Sequence, residues 1–371
     1  MLRILGLMLL LFVAACEKTG PEGVSQQSMR LEQRMGTPPD PGFARALETR
    51  EFVFPRDHGA HPEFATEWWY FTGNLRDIEG RRFGYQLTFF RVGLKPGEPG
   101  NDSDWRANQL YMGHFAISDV ESRQHYSHEK FSRAAAGLAG ATTSPLHVWL
   151  GPWSIRGSSK TLFPIKIEAS TRDLAISLSL LNPGKPVVLQ GDRGLSRKGA
   201  GPGDASYYYS FTRLSTSGTI RIDGQRFTVS GDSWFDREWS SSALAADQAG
   251  WDWFALQLDD GRDLMFYRMR GKDGRMQAFS SGVLVNRAGD IESLSHEQLE
   301  LKPVRSWTSN QGTDYPVAWI LKVPGHALDL RIEAAFDEQE MPLTVRYWEG
   351  AVDVSGSQQG VGYLELSGYA Q

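Results

Sequence analysis

The stretch Leu174-Ala175-Ile176-Ser177-Leu178-Ser179-Leu180 alternates strictly, with leucine or isoleucine on one side and small or polar residues on the other. A period of two belongs to an extended strand with one buried face, because a helix would scatter the same apolar residues around its axis. Looser versions mark candidate strands at Tyr85 to Val92, Leu110 to Ser118, Tyr207 to Leu214, Phe254 to Leu258, Leu264 to Met269, Trp319 to Val323 and Leu328 to Glu333. Turn signals separate them at Glu79-Gly80, Asn182-Pro183-Gly184, Asp223-Gly224, Asp259-Asp260-Gly261, Asp273-Gly274 and Ala288-Gly289-Asp290. Inside the globular part only Phe131 to Ala139 stands out as a short helix candidate. Many short strands joined by tight turns predict an all-β chain of antiparallel barrels or sandwiches.

A chain of 371 residues is long for one core and suits two domains. The expected seam is Ser240 to Gly250, a serine- and alanine-rich stretch that divides the globular part into 51–240 and 241–371. Within the first, the Gly, Arg and Lys-rich segment Gly191 to Asp204 is expected to be a mobile loop near a barrel mouth. The net charge of -5, with no dense cationic face in the sequence, argues against nucleic acid. At the N-terminus Arg3 precedes an apolar run that ends in Val13-Ala14-Ala15-Cys16, too short to span a bilayer. These residues resemble the lipobox of bacterial lipoproteins, so residues 1–16 are expected to be a signal that leaves Cys16, the sole cysteine, acylated. Glu17 follows where an aspartate would signal inner-membrane retention, and this favours the periplasmic face of the outer membrane. Residues 17–50, rich in Gly, Pro, Gln, Glu and Arg, read as a solvated tether.

Seven of the twelve tryptophans stand beside acids, in Glu67-Trp68-Trp69-Tyr70, Trp234-Phe235-Asp236-Arg237-Glu238-Trp239, Trp251-Asp252-Trp253 and Tyr347-Trp348-Glu349-Gly350. Tryptophan is most useful buried, whereas a carboxylate is costly to bury unless paired, hydrogen-bonded or protonated. Such clusters mark either a site or a structural polar network. His61 and His58 are candidates for a polar site near Glu67, and His114 reads as a satisfied core histidine. The pairs His58/His61 and His125/His128 have zinc-compatible spacing, but no cysteine joins either and no metal is expected.

Taken in order, Asp57-His58-Gly59-Ala60-His61-Pro62, Glu67-Trp68-Trp69-Tyr70, Tyr207-Tyr208-Tyr209-Ser210, Gly231-Asp232-Ser233 running into Trp234 to Trp239, Gly250-Trp251-Asp252-Trp253-Phe254, Tyr347-Trp348-Glu349-Gly350 and Gly362-Tyr363-Leu364-Glu365 resemble the AttH/CrtC family. That family is related to carotenoid 1,2-hydratase, also called hydroxyneurosporene synthase. The resemblance runs from about residue 50 to the C-terminus. It implies two consecutive lipocalin-like β-barrels and, for some members, hydration of an isoprenoid double bond. Other members resemble lipoproteins associated with ABC transporter components. One departure matters: Arg237 stands where the hydratase branch carries a histidine, and Met269 stands two residues after Tyr267 in place of an acid. Arginine stays protonated and cannot shuttle a proton near neutral pH.

Hydrating an alkene needs a proton donor, a wall that tolerates a carbocation, and one placed water. A carboxyl in an apolar enclosure keeps its proton at neutral pH, and desolvated aromatic faces attract cations. The expected catalytic residues are Asp236, Glu238, Trp239 and Tyr267. The expected ligand-binding residues are His61, Glu67, Trp68, Trp69, Tyr70, Trp234, Arg237, Trp251, Asp252, Trp253, Trp348 and Glu349, with no cofactor. Strand alternation sets a condition, since Asp236 and Glu238 share one face while Trp239 takes the other unless a bulge intervenes. The alternative for the same clusters is structural: Trp239 with Arg237, or Trp251 near Arg268 or Arg270, as a barrel-closing plug. The expected partners are an apolar small molecule or lipid, the membrane through Cys16, and ABC transporter components. A carrier would bind without chemistry, and a purely structural role would leave no apolar cavity of roughly 300 Å³ or more.

Overall fold

The computed structural model describes residues 41–97, 107–159, 161–242 and 244–370. The signal segment, Cys16 and residues 17–40 of the tether lie outside them. The first sheet contains β1 (Thr66–Asp77), β2 (Arg82–Gly93), β3 (Gln109–Asp119), β4 (Gln124–Arg133), β5 (Ala139–Thr143), β6 (Leu146–Leu150), β7 (Trp153–Arg156), β8 (Ile165–Ser170), β9 (Leu174–Leu181), β10 (Val188–Leu189), β11 (Leu195–Arg197), β12 (Ala205–Ile222) and β13 (Gln225–Ser240). The second contains β14 (Gln248–Leu258), β15 (Asp263–Gly271), β16 (Ser281–Val285), β17 (Ile291–Ser295), β18 (Glu300–Thr308), β19 (Asp314–Val323), β20 (Leu328–Ala334), β21 (Glu340–Pro342), β22 (Arg346–Gly356) and β23 (Gly360–Leu366). Every strand pairing is antiparallel, as expected for a chain of hairpins and turns.

The two sheets curl into the lipocalin-like barrels that the resemblance implies. In the first, the path β4-β3-β2-β1-β13-β12-β9-β8-β7-β6-β5 brings its ends round to face each other. Gly113 of β3 abuts Trp153 and Leu150, and Phe115 meets Trp153 edge-on at 5.7 Å. The alternating leucines and isoleucine of β9 all point into this core, while Ser179 and Leu181 do not. The second sheet closes over Phe254, Trp319, Leu330, Trp348 and Leu364.

β1 and the C-terminal half of β13 lack alternation because both their faces are covered. One face looks into the first barrel and the other meets the second sheet. Polar ties pin that junction. Asp263 is gathered by Lys185, Thr212 and Arg213, Asn74 donates to Gly362 O at 3.1 Å, and Arg82 reaches Asp353 and Val352 O. Gly84 sits where the sheets approach closely, since a Cβ there would lie 2.8 Å from Tyr363 Oη and 2.9 Å from Ala351 Cβ.

Three local expectations change. Phe131 to Ala139 is no helix: it is the end of β4, a turn and the start of β5, with Phe131 exposed. Residues 43–50, expected in the tether, lie against the first sheet, with Phe43 and Ala46 buried. The expected mobile loop is stitched down, because Leu195–Arg197 pairs with β12 as β11 and Lys198 N donates to Asp204 O.

Candidate functional site

The register Tyr70↔Asp236 and Trp68↔Glu238 between β1 and β13, and Tyr208↔Glu238 between β12 and β13, puts these side chains together on the outer face of the first sheet. β14, β15, β22 and β23 of the second sheet cover that face. Between the sheets lies a pocket of about 100 Å³ lined by Trp68, Tyr70, Tyr208, Asp236, Glu238, Trp251, Trp253, Tyr267 and Glu365, with Lys198 among the remaining wall residues. Its volume is below the roughly 300 Å³ typical of sites that enclose a drug-sized ligand, which is the outcome expected of a purely structural role; the space has room for one end of a long molecule and not for the whole.

Asp236 is the most constrained group here. Its Oδ1 accepts from Ser210 Oγ at 2.5 Å and Trp234 Nε1 at 2.7 Å, and its Oδ2 accepts from the Tyr208 hydroxyl at 2.5 Å. A carboxylate offers four lone-pair sites. Three are taken, and the remaining one is on Oδ2, where a proton can sit. Burial pushes the Asp236 carboxyl up to about 7, against the lowering effect of those three donors. Burial also raises Glu238, opposed by Lys198, whose Nζ lies 3.6 Å from Glu238 Oε1. Tyr267 closes the same wall, with its hydroxyl bonded to Ser196, Ser281 and Arg197 O. Trp253 Nε1 donates to the Tyr208 hydroxyl at 3.2 Å, and its ring meets Tyr70 edge-on at 5.1 Å and Trp234 at 6.2 Å. Trp251 Nε1 donates to Glu365 Oε1 at 2.8 Å.

Behind the pocket the cross-strand pair Glu349↔Glu365 sets two carboxyls side by side. Burial and then Glu365 push Glu349 well above the usual carboxylate range, and Tyr70 donates to its Oε1 at 2.6 Å. His114 is fully buried against the Tyr347 hydroxyl at 2.8 Å, and burial lowers it to about 3, so it is neutral.

Other expected site residues lie elsewhere, for the reason that alternation gives. Glu67, Trp69, Arg237 and Trp239 point to the opposite face, into the first barrel. There Glu67 bonds both Arg91 and Arg237 and accepts the His61 N–H at 3.0 Å. Burial works to raise Glu67, but Arg91, Arg237 and His61 hold it well below its ordinary value. The Arg237 guanidinium packs 4.0 Å from the Trp69 ring centroid, and His61 stacks on Trp239 at 3.8 Å. This is the plug arrangement, so Arg237, although next to Asp236 in sequence, does not face the Asp236 carboxyl. His58 is spent on the Tyr209 hydroxyl at 2.6 Å. Asp252 lies within the second barrel, accepting from Arg268, Arg270 and Tyr369, and Trp348 fills that barrel's core. Sequence reasoning missed Lys198, Tyr208, Tyr347 and Glu365 as pocket residues.

Comparison with known proteins agrees with this architecture. An AttH protein of Nitrosomonas europaea is 34% identical, with a TM-score of 0.79 over 88% of this chain and 100% of that one. Kievitone hydratase of Nectria haematococca shares the fold at 15% identity, with a TM-score of 0.67 over 89% of this chain and 98% of that one. CghA in complex with Sch210972 shares it at 14% identity and a TM-score of 0.55, over 89% and 97%. No curated protein sequence matches. The AttH-like family model matches residues 45–369, and the chain belongs to that family.

Proposed function

We propose that this protein adds water across a carbon–carbon double bond of an apolar isoprenoid or lipid whose reacting end enters the pocket between the two sheets. The observation that carries the reading is Asp236: buried, poised near neutrality, and set in an aromatic wall. Its Oδ2 proton goes to one alkene carbon, the π pair forms the new C–H bond, and the other carbon becomes cationic. Trp68, Trp251, Trp253 and Tyr208 face that charge, each such contact stabilising a desolvated cation by about 0.5–2 kcal/mol. Water then bonds to the cationic carbon and its released proton returns to the Asp236 carboxylate, so the enzyme ends as it began. The pocket's own acids replace the missing histidine and the acid absent at Met269. Arg237 neither pulls the Asp236 carboxyl down towards the carboxylate form nor repels the carbocation from within the site, because it lies on the far face of β13.

Kievitone hydratase, a hydratase by name, supports the reading only as a protein of the same fold. Asp236→Asn should abolish turnover of an isoprenoid alkene while the variant still binds it. Retained turnover would end the assignment of Asp236. A cellular role that survives the change would favour the alternative, a non-catalytic carrier or accessory lipoprotein of an ABC transporter. The location we propose, lipid-anchored through Cys16 on the periplasmic face of the outer membrane, rests on residues 1–17. Cys16→Ser should release the chain from membranes, and persistence after a salt wash would refute it.

A further inference from the structure

Lys198 has no part in the proton transfer, yet among the residues lining the pocket it is the sole cation. Its Nζ lies 3.6 Å from the Tyr267 ring centroid and 5.1 Å from that of Tyr208, beside Glu238. An ammonium over two aromatic faces with a carboxylate at its side is the arrangement by which proteins recognise organic cations. The place it occupies does not depend on the lysine side chain. Tyr267 is fixed by Ser196, Ser281 and Arg197 O, and Glu238 is fixed by its position on β13. The Lys198 backbone is fixed too, through Asp204 O and Gln248 Nε2, so only its flexible stem crosses the pocket. That stem is partly exposed and carries a compact, strongly hydrated head that solvent can reclaim. Charge favours a replacement cation, since Glu238, the carboxylate paired with Lys198 Nζ, lines the space. Apolar substituents would meet Trp68, Phe90, Leu244, Trp253 and Met269.

We propose that the pocket binds an alkylammonium group, a cationic nitrogen with apolar substituents, which takes the place of Lys198 Nζ over Tyr267. This rests on the site of the hydration reading and deepens it, because a cage for an ammonium is also a cage for a carbocation. The test reads binding alone, so a failure of the hydration reading would leave it standing.

The probe is tetramethylammonium chloride, titrated calorimetrically and by tryptophan fluorescence at constant ionic strength, with tert-butanol as the neutral analogue of similar shape. Wild-type protein should bind tetramethylammonium saturably, and Lys198→Met should bind it about tenfold more tightly because the internal competitor is gone. Adding Glu238→Gln to Lys198→Met should weaken binding about fivefold or more. Two results would overturn the proposal: no saturable binding by a Lys198→Met protein whose thermal melt matches wild type, or tert-butanol binding as tightly as the cation. Lys198→Gln repeats the measurement should the methionine variant not fold.

Discussion

Glu67→Gln separates the two faces of β1. Glu67, Arg91 and Arg237 are each fully buried, and the Glu67 carboxylate is bonded to both guanidinium groups. Glutamine keeps the volume, so no cavity opens, but it leaves two buried cations without their counter-charge. Removing one partner of a buried pair costs about 3–5 kcal/mol. For a folding unit of some 150–250 residues each kcal/mol moves the melting temperature by about 2–4 °C, so scanning calorimetry should show a fall of about 6–20 °C. The pH dependence carries a sign. Glu67 is held below its unfolded value, so its contribution is present above about pH 4 and is lost as pH falls through and below that point. The gap between wild type and variant should therefore narrow in acid. Ligand binding in the pocket should survive at temperatures where the variant is folded. A melting shift below about 2 °C, or lost binding with unchanged stability, would refute the division of β1 into a structural face and a functional face.

Asp236 has the opposite sign: raised to about 7, it stabilises the fold most below about pH 4, and that contribution is lost as pH rises from about 4 to about 7. Urea unfolding of wild type against Asp236→Asn should show a difference that shifts in favour of wild type at pH 5 relative to pH 8, and a difference independent of pH would contradict the raised carboxyl. Trp239→Ala, which empties a fully buried site stacked on His61, should cost about 3–5 kcal/mol while tetramethylammonium still binds. Lost binding with intact stability would move Trp239 into the site. Gly84→Val would press on Tyr363 and Ala351 and should destabilise the chain by about 1–3 kcal/mol in thermal melts. No change there would mean the sheets do not dock at Gly84.

The architecture was readable because β9 and its neighbours bury one face, and one-sided burial leaves a period of two in the sequence. The site was readable only in part. Where both faces are buried, as in Trp68-Trp69-Tyr70-Phe71, composition no longer says which side chain looks where. Alternation did separate Asp236 and Glu238 from Trp239, and the paired strands β1 and β13 keep that separation without a bulge. Arg237 parts from Asp236 because neighbours along a strand take opposite faces, and Glu67 parts from it because Glu67 lies opposite Trp239, on the barrel-facing side of the pairing. Tyr208 and Glu365 sit within motifs of the sequence; the Asp223-Gly224 turn does mark the pairing of β12 with β13, but the register shift between Phe211 and Leu214 decides that Tyr208 lies opposite Glu238, and no turn residue reveals that shift. Lys198 reaches the pocket from a segment whose composition suggests only a loop. Residues 43–50 have tether-like composition, yet buried Phe43 and Ala46, the Arg50–Asp57 pair and the Tyr207 hydroxyl on Glu48 O dock them.

The most direct test is to label the protein with an isoprenoid carrying a photoreactive diazirine at its terminal unit and map the adducts by peptide mass spectrometry. The account predicts adducts on Trp68, Tyr70, Trp251, Trp253 and Tyr267, competed away by unlabelled isoprenoid. Competable labelling of Trp153, Trp319 or Leu330, deep inside either barrel, would show that the ligand does not enter between the sheets.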